Sequence, residues 1–544
     1  MTPRGGAMRL LLISLLVTTL AASALAEEHG TPRDAPIQEA ELAAPAAEAP
    51  PGRVGRLSLV SGNVSVRTSD GWGDAAVNLP LAGGSSLRTG AQAHAEIEIG
   101  ADTIDLAPDT ALEITRLNDQ AFQIAVVSGR IGFAVRRLRD GESDEINISR
   151  EGVRLLQPGR YDIDAGSRRI AVYAGVARIV GGDADIAVNS GDMALLAGSG
   201  PADATIGRAV RDDFADWCES RDFEEMRLVA PYYVSPYMTG FAELDAAGRW
   251  ESTAEYGAVW IPNAVPADWA PYRDGHWRWI APWGWTWIDD RPWGFAPFHY
   301  GRWTLVGEHW AWVPGSFVAH PVYIPAVVAF LGTAGVGLSV ADSAGPAVGW
   351  FPLAPGEVYW PSYTRDLDYI RNLNLGNVAD VGAIQMGAKG EPTLEVFDGH
   401  FANRRFASVV PRTVFVNGGA VAPALLSLPE HRLQNAPVLM GSPQIGPAIH
   451  RVPVAAVVIK QPSHRSAWTN HIAVLVARSV SRAKMLQAAF AHLLDHGPAS
   501  RLRGAHLRAP AYAQPAPPRH TILLRVAHAA STPAHGGTAK EHRH

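Results

Sequence analysis

Cysteine is nearly absent from this chain of 544 residues, in which Cys218 is the only one. A lone cysteine excludes internal disulfides and any cysteine-based zinc site, so packing alone must hold the chain together. The net charge of −6 gives no global electrostatic attraction to nucleic acids. The nucleophile elbow, the phosphate-binding loop and the metalloprotease signature are also missing. We therefore predict a non-enzymatic protein with no cofactor, no metal site and no nucleic-acid partner.

Glycine and proline, by contrast, are abundant at 53 and 40 residues, a composition that favours many short strands and turns. Of the 17 tryptophans, twelve lie between Trp250 and Trp312. These features predict a mainly β chain with disordered, low-complexity ends. The length indicates more than one domain.

The beginning of the chain has the pattern of a secretion signal. Two arginines, an apolar run and a small-residue cleavage site follow one another, which predicts a signal peptide over 1–26 that is cleaved after Ala26. The pattern is compatible with translation from Met1 or from Met8. Residues 27–52 are rich in Ala, Glu and Pro, which predicts a disordered linker. We therefore expect a periplasmic or extracellular protein without an integral membrane span after cleavage.

Between residues 54 and 198 apolar and polar residues alternate, and turn residues interrupt the runs. This pattern is typical of half-buried antiparallel strands. Five strings stand in the order expected for a FecR-like extracytoplasmic domain: Leu87-Arg88-Thr89-Gly90, Ile104-Asp105-Leu106-Ala107-Pro108, Val127-Ser128-Gly129-Arg130-Ile131, Val172-Tyr173-Ala174-Gly175-Val176 and Asn189-Ser190-Gly191-Asp192. The segment thus resembles that domain, which implies a periplasmic β module. It departs from the sigma-factor regulators in showing neither a cytoplasmic anti-sigma segment nor a transmembrane helix ahead of the module.

Two shorter segments have distinct patterns. Residues 209–228 predict a short helical link, on which Cys218 is expected to be an inert, partly buried thiol. Residues 322–340 contain no charge, which raises a membrane span as one alternative. Pro325, three glycines and the lack of flanking basic residues favour buried strand and loop instead.

A threefold repeat dominates the segment from 230 to 420. Each copy has Gly-x-Trp followed by a second tryptophan anchor. The leading tryptophans lie 27 and 26 residues apart and the second anchors 27 and 25: Trp250, Trp277 and Trp303, then Trp260, Trp287 and Trp312. A period of this size indicates stacked supersecondary units that share one core. We therefore predict a Trp-repeat β-hairpin domain.

Further strings accompany the repeats in a fixed order: Tyr233-Val234-Ser235-Pro236-Tyr237-Met238-Thr239-Gly240, Val348-Gly349-Trp350-Phe351-Pro352-Leu353-Ala354-Pro355-Gly356 and Val409-Val410-Pro411-Arg412-Thr413-Val414-Phe415-Val416. With them, residues 230–420 resemble an uncharacterised family of Trp-rich secreted bacterial proteins, a domain of unknown function. Members often carry a FecR-like domain in front. The resemblance implies no activity.

The second repeat predicts a hairpin with tryptophans on one face of each strand, since alternate residues of a strand share a face. Its tryptophans are the candidate ligand-contact residues: Trp277, Trp279, Trp283, Trp285 and Trp287. In the favoured alternative the rings form the core of a small β unit. In the other, some of them form an open stacking platform for sugar faces or proline-rich peptides.

Ionisable residues also occur among the repeats: His276, His299, His309, Asp289, Asp290 and Glu308. The histidine spacings of 23 and 10 fit no helix-based metal motif, which favours structural roles for these side chains. The carboxylates could be imagined as a glycosidase pair, but nothing in the sequence sets their separation. A polysaccharide-active enzyme is therefore the weaker alternative.

The segment 421–544 is rich in Pro and Ala and predicts a basic, disordered tail with one possible helix over 472–494. Residues 451–544 hold 13 basic against two acidic residues, so the remainder of the chain has a net charge of −17. Solvated disorder is one interpretation of the tail. Attraction to anionic envelope polymers or lipid head groups is another.

Taken together, the patterns predict a non-enzymatic secreted protein that binds or scaffolds a cell-envelope component. Peptidoglycan, an envelope polysaccharide and an envelope protein are the candidate partners. An alternative is a FecR-like signalling accessory that acts by protein–protein contact, for instance by strand addition at a sheet edge.

Overall fold

The computed structural model describes residues 50–68, 71–138, 143–181, 184–197, 203–225, 228–332, 338–339, 345–386, 401–439 and 441–446. The chain is mainly β, with several antiparallel sheets and few, short helices, as the sequence predicts. The signal peptide, most of the linker and the tail beyond residue 446, including 472–494, lie outside the described residues. No helix in the described part is long and apolar enough to cross a membrane.

Residues 55–208 form a β domain of two nine-stranded sheets. In chain order, strands β1 to β18 are Gly55–Ser61, Val64–Thr68, Gly71–Asp74, Pro80–Leu81, Ser86–Thr89, His94–Ile99, Asp102–Leu106, Ala111–Leu117, Ala121–Ser128, Arg130–Val135, Ser143–Ile148, Glu151–Leu155, Gly159–Asp164, Arg169–Ala174, Val176–Gly181, Ala184–Asn189, Asp192–Leu196 and Ala204–Arg208. Sheet 1 has the order β18-β17-β14-β13-β10-β7-β6-β1-β4, and sheet 2 has the order β16-β15-β12-β11-β9-β8-β5-β2-β3. Neighbouring strands are antiparallel, apart from β9 and β11. The domain continues to Arg208, ten residues past the predicted boundary at 198.

The predicted alternation of apolar and polar residues places one face of each sheet in the core. Across sheet 1, five neighbouring inward side chains are at most 2% exposed: Leu57, Ile97, Ile104, Phe133 and Tyr161. The inward side chains of sheet 2 belong to the same buried cluster. Because side chains of a strand alternate, one apolar face per strand is enough to fill the space between two sheets.

The outer face of sheet 1 carries buried carboxylates beneath helix α1 (Asp213–Glu225), which lies within the predicted helical link. Arg221 of α1 donates to Glu96 from 2.8 Å. Cys218 lies over Gly132, where an added Cβ would come within 2.6 Å of the sulfur, so glycine permits the close approach of the helix. Burial, together with Asp105, raises the pKa of the Cys218 thiol, as expected for an inert cysteine.

Residues 228–446 form the second part. The strands β19 to β29 are Gly248–Thr253, Gly257–Pro262, Gly275–Ile280, Gly284–Asp289, Arg302–Val306, His309–Val313, Val328–Leu331, Leu338–Ser339, Pro346–Pro352, Ser408–Pro411 and Val438–Leu439. The helices α2 to α6 are Leu244–Ala247, Ala296–His299, Leu367–Asn374, Arg412–Val416 and Glu430–Asn435. Hairpins one and three join into the sheet β19-β20-β24-β23, the second hairpin β21-β22 stands by itself, and β26-β27-β25-β29 form another sheet with β28 on β27.

Two sequence predictions about this part have definite outcomes. The uncharged segment 322–340 contains the strand Val328–Leu331 and no described helix, so strand and loop is the correct alternative.

The predicted loss of compact order after residue 420 is wrong for 421–439 and 441–446. There, Val421 is fully buried and Val438–Leu439 pairs with β25. The apolar residues that punctuate this Pro-rich segment are sufficient to anchor it.

The two parts share one hydrophobic core. A contiguous cluster of buried side chains runs from Val54 to Ile445. Polar contacts reinforce it: Arg56, with no exposed surface, lies 3.0 Å from Glu98 and also pairs with Glu243 beyond α1. The Asn78 amide donates to the backbone oxygen of Asp289 from 2.9 Å.

Candidate functional site

Each predicted repeat is a β-hairpin with two tryptophans directly opposite each other. Trp250 faces Trp260 in the first. The equivalent pairs in the second and third are Trp277 with Trp287 and Trp303 with Trp312. Opposed aromatic pairs stabilise hairpins through their contact area and their edge-to-face geometry. The repeat therefore encodes a cross-strand tryptophan pair.

The glycine of each Gly-x-Trp motif makes room for the second tryptophan of its own hairpin. An added Cβ would lie 2.2 Å from the Trp260 ring at Gly248 and 2.8 Å from the Trp287 ring at Gly275. At Gly301 the Trp312 ring would be 2.4 Å away. No side chain fits at these distances, so the indole lies flat over a glycine backbone in all three copies. This explains why glycine precedes each leading tryptophan by two residues.

Four of the five candidate ligand-contact tryptophans are buried. Trp277, Trp283, Trp285 and Trp287 are at most 2% exposed, while Trp279 is half-buried. The Trp277 ring contacts Trp287, Trp350, Phe330 and Phe415, with centroids between 5.2 and 5.6 Å away.

These four rings are therefore part of the core, as in the favoured alternative, and they do not form an open stacking platform. Strands β21 and β22 place Trp277, Trp285 and Trp287 on one face, which Trp350 of β27 and Phe415 of α5 cover. Trp283 directly precedes β22 and packs against Tyr323. Ligand contact stays a prediction for Trp279 alone.

Four indole nitrogens of the repeats donate to backbone oxygens. Trp260, Trp303 and Trp312 donate to Leu244, Pro297 and Tyr300 over 2.8 to 2.9 Å. Trp285 donates to Ile445 over 2.7 Å. Because a buried N–H without a partner is costly, these bonds fix the rings as structural elements.

Two ionisable groups of the repeats, Asp289 and His299, are buried structural groups. Asp289 is buried, and burial raises its pKa well above the usual range, although it accepts bonds from the Arg291 backbone and from Trp287. Burial lowers the pKa of His299 to about 3, so its ring is neutral and hydrogen-bonds the Ile324 oxygen over 2.8 Å. Among the described residues, no group of three or more His, Cys, Asp or Glu side chains could hold a metal ion.

An aromatic cleft opens beside the first and third hairpins. It has a volume of about 40 Å³ and is lined by some of the residues of three separate segments, 233–238, 314–324 without His320, and 372–377, together with Tyr300 and Gly301. At its rim Phe317 is 65% exposed and Tyr233 is 37% exposed. We call this feature the aromatic cleft.

Ring stacking and hydrogen bonds fix the segments that line the aromatic cleft. Tyr233 stacks on Trp250 at 4.3 Å between ring centroids and 16° between planes. The hydroxyl of Ser235 donates to the Ala319 oxygen over 2.5 Å, and the Ser316 amide donates to the Gly376 oxygen over 2.8 Å. The cleft is thus a shallow concave surface with aromatic edges.

Sequence reasoning missed this cleft because its members are scattered. The only local signal was Phe317, a large aromatic directly after Pro314-Gly315-Ser316, where a solvent-exposed loop is expected. The structure confirms that Phe317 is exposed at this loop.

Comparisons with known proteins cover the two parts unequally. A family model described as a family of unknown function, DUF6600, matches residues 241–357, which contain the three hairpins. No FecR-type family model matches, so the FecR-like resemblance of residues 54–198 stays a prediction. No curated protein matches the chain.

Two crystal structures described as a candidate anti-sigma factor from Parabacteroides distasonis are distantly similar, each at a TM-score of 0.22. The first is 10% identical and covers 24% of this chain and 64% of its own. The second is 12% identical and covers 33% of this chain and 99% of its own. A likeness of this size does not establish a shared fold.

Proposed function

We propose that the protein is a non-enzymatic module of the bacterial cell envelope that binds an envelope polymer or a partner protein through the aromatic cleft. The observation that carries the proposal is the exposed pair Phe317 and Tyr233 at the rim of a shallow concavity. Exposed aromatic rings are costly in water and are enriched where proteins bind partners.

The lining of the cleft favours binding over chemistry. Its polar side chains are hydroxyls and amides, such as Ser235, Ser316, Asn372 and Asn377. The described lining includes no carboxylate, imidazole or thiol that could act as a general acid, a base or a nucleophile. Hydroxyl and amide groups beside aromatic rings suit hydrogen-bonding ligands such as sugars and peptides.

The Trp-pair hairpins supply the rigid support for this surface. Trp250 underlies Tyr233, and the Trp303–Trp312 hairpin leads directly into the loop that carries Phe317. A cleft on a close-packed support loses little conformational entropy on binding. The repeats thus position the contact surface instead of forming it.

Co-sedimentation of the mature full-length chain with isolated peptidoglycan sacculi, at low and high salt, tests the proposal. We expect salt-resistant pelleting that Phe317→Ala weakens about tenfold or more, the usual effect of removing an anchor residue. Val210→Ala is the matched control, because Val210 is 69% exposed and lies outside the cleft lining.

Each other outcome would contradict a definite part of the proposal. Pelleting that Phe317→Ala leaves unchanged would remove the cleft as the contact surface. Pelleting that disappears at high salt would indicate screened charge attraction. An absence of pelleting would contradict the polymer version and leave a partner protein as the ligand.

A second function, that of a signalling accessory acting by protein–protein contact, is favoured by one edge of sheet 1. The outermost strand β18 carries Ile206, which is 47% exposed. An edge strand with an exposed apolar side chain is suited to strand addition by a partner. In-cell photo-crosslinking from position 206 tests this, with a crosslinker at position 127, where the exposed Val127 lies on sheet 2, as the control. A discrete adduct from position 206 alone would support strand addition, and no adduct, or the same adduct from position 127, would contradict it.

A further inference from the structure

A tryptophan outside the repeats stands on the surface of the β domain. Trp72 lies on β3, the outermost strand of sheet 2, and is 42% exposed. Its neighbours on β3 are Gly71 and Gly73, so no adjacent side chain of this strand shields the indole. An exposed tryptophan on an edge strand is unusual, because an indole normally contributes its large area to a core.

Two arginines hold the Trp72 ring. Arg67 lies directly opposite Trp72 on β2, with its guanidinium carbon 5.9 Å from the ring centroid. The guanidinium of Arg88, on β5, lies 4.3 Å from the same centroid. Arg67 also donates to the hydroxyl of Ser86 over 3.0 Å. These contacts fix the orientation of the indole while leaving a large part of it in solvent.

Carboxylates balance these charges on the same outer face. Asp74 is exposed two residues beyond Trp72, and Glu113 lies opposite Ser86 on β8. The four strands β3, β2, β5 and β8 are neighbours in sheet 2, so this face is roughly 14 Å wide. Two basic and two acidic side chains give the face no net charge, which disfavours a polyanion.

The face continues as an exposed surface along sheet 2, whereas α1 covers the outer face of sheet 1. Its solvent-exposed side chains include Arg67, Trp72, Arg88, Thr115, Val127, Arg154 and Arg178. Arg154 and Arg178 form ion pairs with Glu145 and Asp185, so they add no net charge. The face therefore offers an exposed indole followed by a broad surface of hydrogen-bonding groups.

We propose that this face, centred on Trp72, binds a neutral polysaccharide chain. A sugar ring stacks its C–H face on the exposed indole, and neighbouring hydroxyls bond to the guanidinium groups and to the carboxylates of Asp74 and Glu113. Guanidinium and carboxylate groups together satisfy both the donor and the acceptor of a hydroxyl. This site lies on the other part of the chain from the aromatic cleft and does not depend on it.

Native affinity electrophoresis of the mature full-length chain tests the proposal. Gels contain hydroxyethyl cellulose, dextran or laminarin as neutral polymers, or heparin as a polyanion. We expect at least one neutral polymer to retard the wild type at both low and high salt. Trp72→Ala should weaken that retardation about tenfold or more, and Trp72→Phe should retain part of it.

Tyr232→Ala is the matched control, because Tyr232 is an aromatic residue that is 82% exposed and belongs neither to the face around Trp72 nor to the lining of the aromatic cleft, so this variant should be retarded like the wild type. The melting temperature of Trp72→Ala should stay within about 3 °C of the wild type, because the side chain is exposed. Equal retardation of Trp72→Ala and wild type would overturn the proposal. Retardation by heparin alone, or by no neutral polymer, would overturn it as well.

Discussion

Replacement of Trp287 by alanine should unfold or strongly destabilise the protein. The Trp287 ring is fully buried, and its centroid lies 5.6 Å from that of Trp277 and 5.7 Å from that of Tyr272. Its indole nitrogen also donates to Asp289 over 3.1 Å. The variant thus creates a cavity where three packed groups meet.

The expected cost follows from these contacts. A buried Trp→Ala change destabilises by about 3–5 kcal/mol. The lost edge-to-face contacts, at about 0.5–1.5 kcal/mol each, place this site at the upper end of that range. Removing the indole also leaves the buried Asp289 with one donor fewer, which adds to the cost. Natural domains are stable by only about 5–15 kcal/mol, so a large part of the free energy of unfolding is lost.

Differential scanning calorimetry of the full-length chain measures this loss, with Trp72→Ala as the control. For one cooperative unit of about 400 residues, this cost should lower the melting temperature of Trp287→Ala by about 4–6 °C. The exposed Trp72 contributes only about 1 kcal/mol through its arginine contacts, so the control should shift little. If the two variants lowered the melting temperature equally, the assignment of the repeat tryptophans to the core would be refuted.

Three further predictions concern the glycine sites, pH and the thiol. Gly275→Ala should lower the melting temperature by several degrees while Gly207→Ala, whose Cβ would meet nothing closer than 3.9 Å, should not. Burial lowers the pKa of His299 from 6.5 to about 3, so between these pH values the unfolded chain binds a proton that the folded chain does not. The contribution of His299 to the free energy of unfolding should therefore be complete above pH 6.5 and should fall as the pH drops toward about 3. His299→Gln should flatten that loss in urea titrations at several pH values. The Cys218 thiol should resist alkylation in the native state, and Arg221→Ala should accelerate its labelling, measured by mass spectrometry, because it removes an ion pair that holds α1.

Secretion is a prediction of its own. We expect cell fractionation to recover the chain outside the cytoplasm, and sequencing of its N-terminus to begin at Glu27. A cytoplasmic chain that retains residues 1–26 would contradict the envelope location on which the proposed function depends.

The parts of the fold that sequence could predict are those fixed by local pattern. The hairpin from Trp277 to Trp287 follows from strand alternation, and the observed register places Trp277 opposite Trp287. The β domain follows from the same period-two signal. Both depend on contacts between residues close in sequence, which a repeat or an alternation encodes directly.

The sequence alone could not predict which distant strands pair with each other. Trp260 pairs with Trp312 across the first and third hairpins and leaves the second hairpin apart, although the three copies are nearly equivalent in sequence. The return of Val438–Leu439 to β25 is likewise invisible in a Pro-rich segment. No periodicity specifies which distant strands meet.

The sequence favours a core role for the tryptophans between Trp277 and Trp287 but does not show which residues bury them. In the structure β27 and α5 supply Trp350 and Phe415 as their packing partners. The exposed rings lie elsewhere, at Phe317 and Trp72, where each is isolated in the sequence. A high local density of aromatic residues indicates that many large side chains are buried together. Whether an individual ring is exposed depends on packing partners that come from distant parts of the chain.

The hydrophobic core that runs from Val54 to Ile445 makes the two parts one thermodynamic unit. A ligand that binds either surface stabilises the whole by mass action, so occupancy at Trp72 and at the aromatic cleft should raise the same melting transition. The segment recognised by the family model is accordingly shorter than the segment that folds. A chain ending at residue 420 would lack the Ile445 oxygen bound by Trp285, and its hairpins would lose a contact on which their rigidity depends.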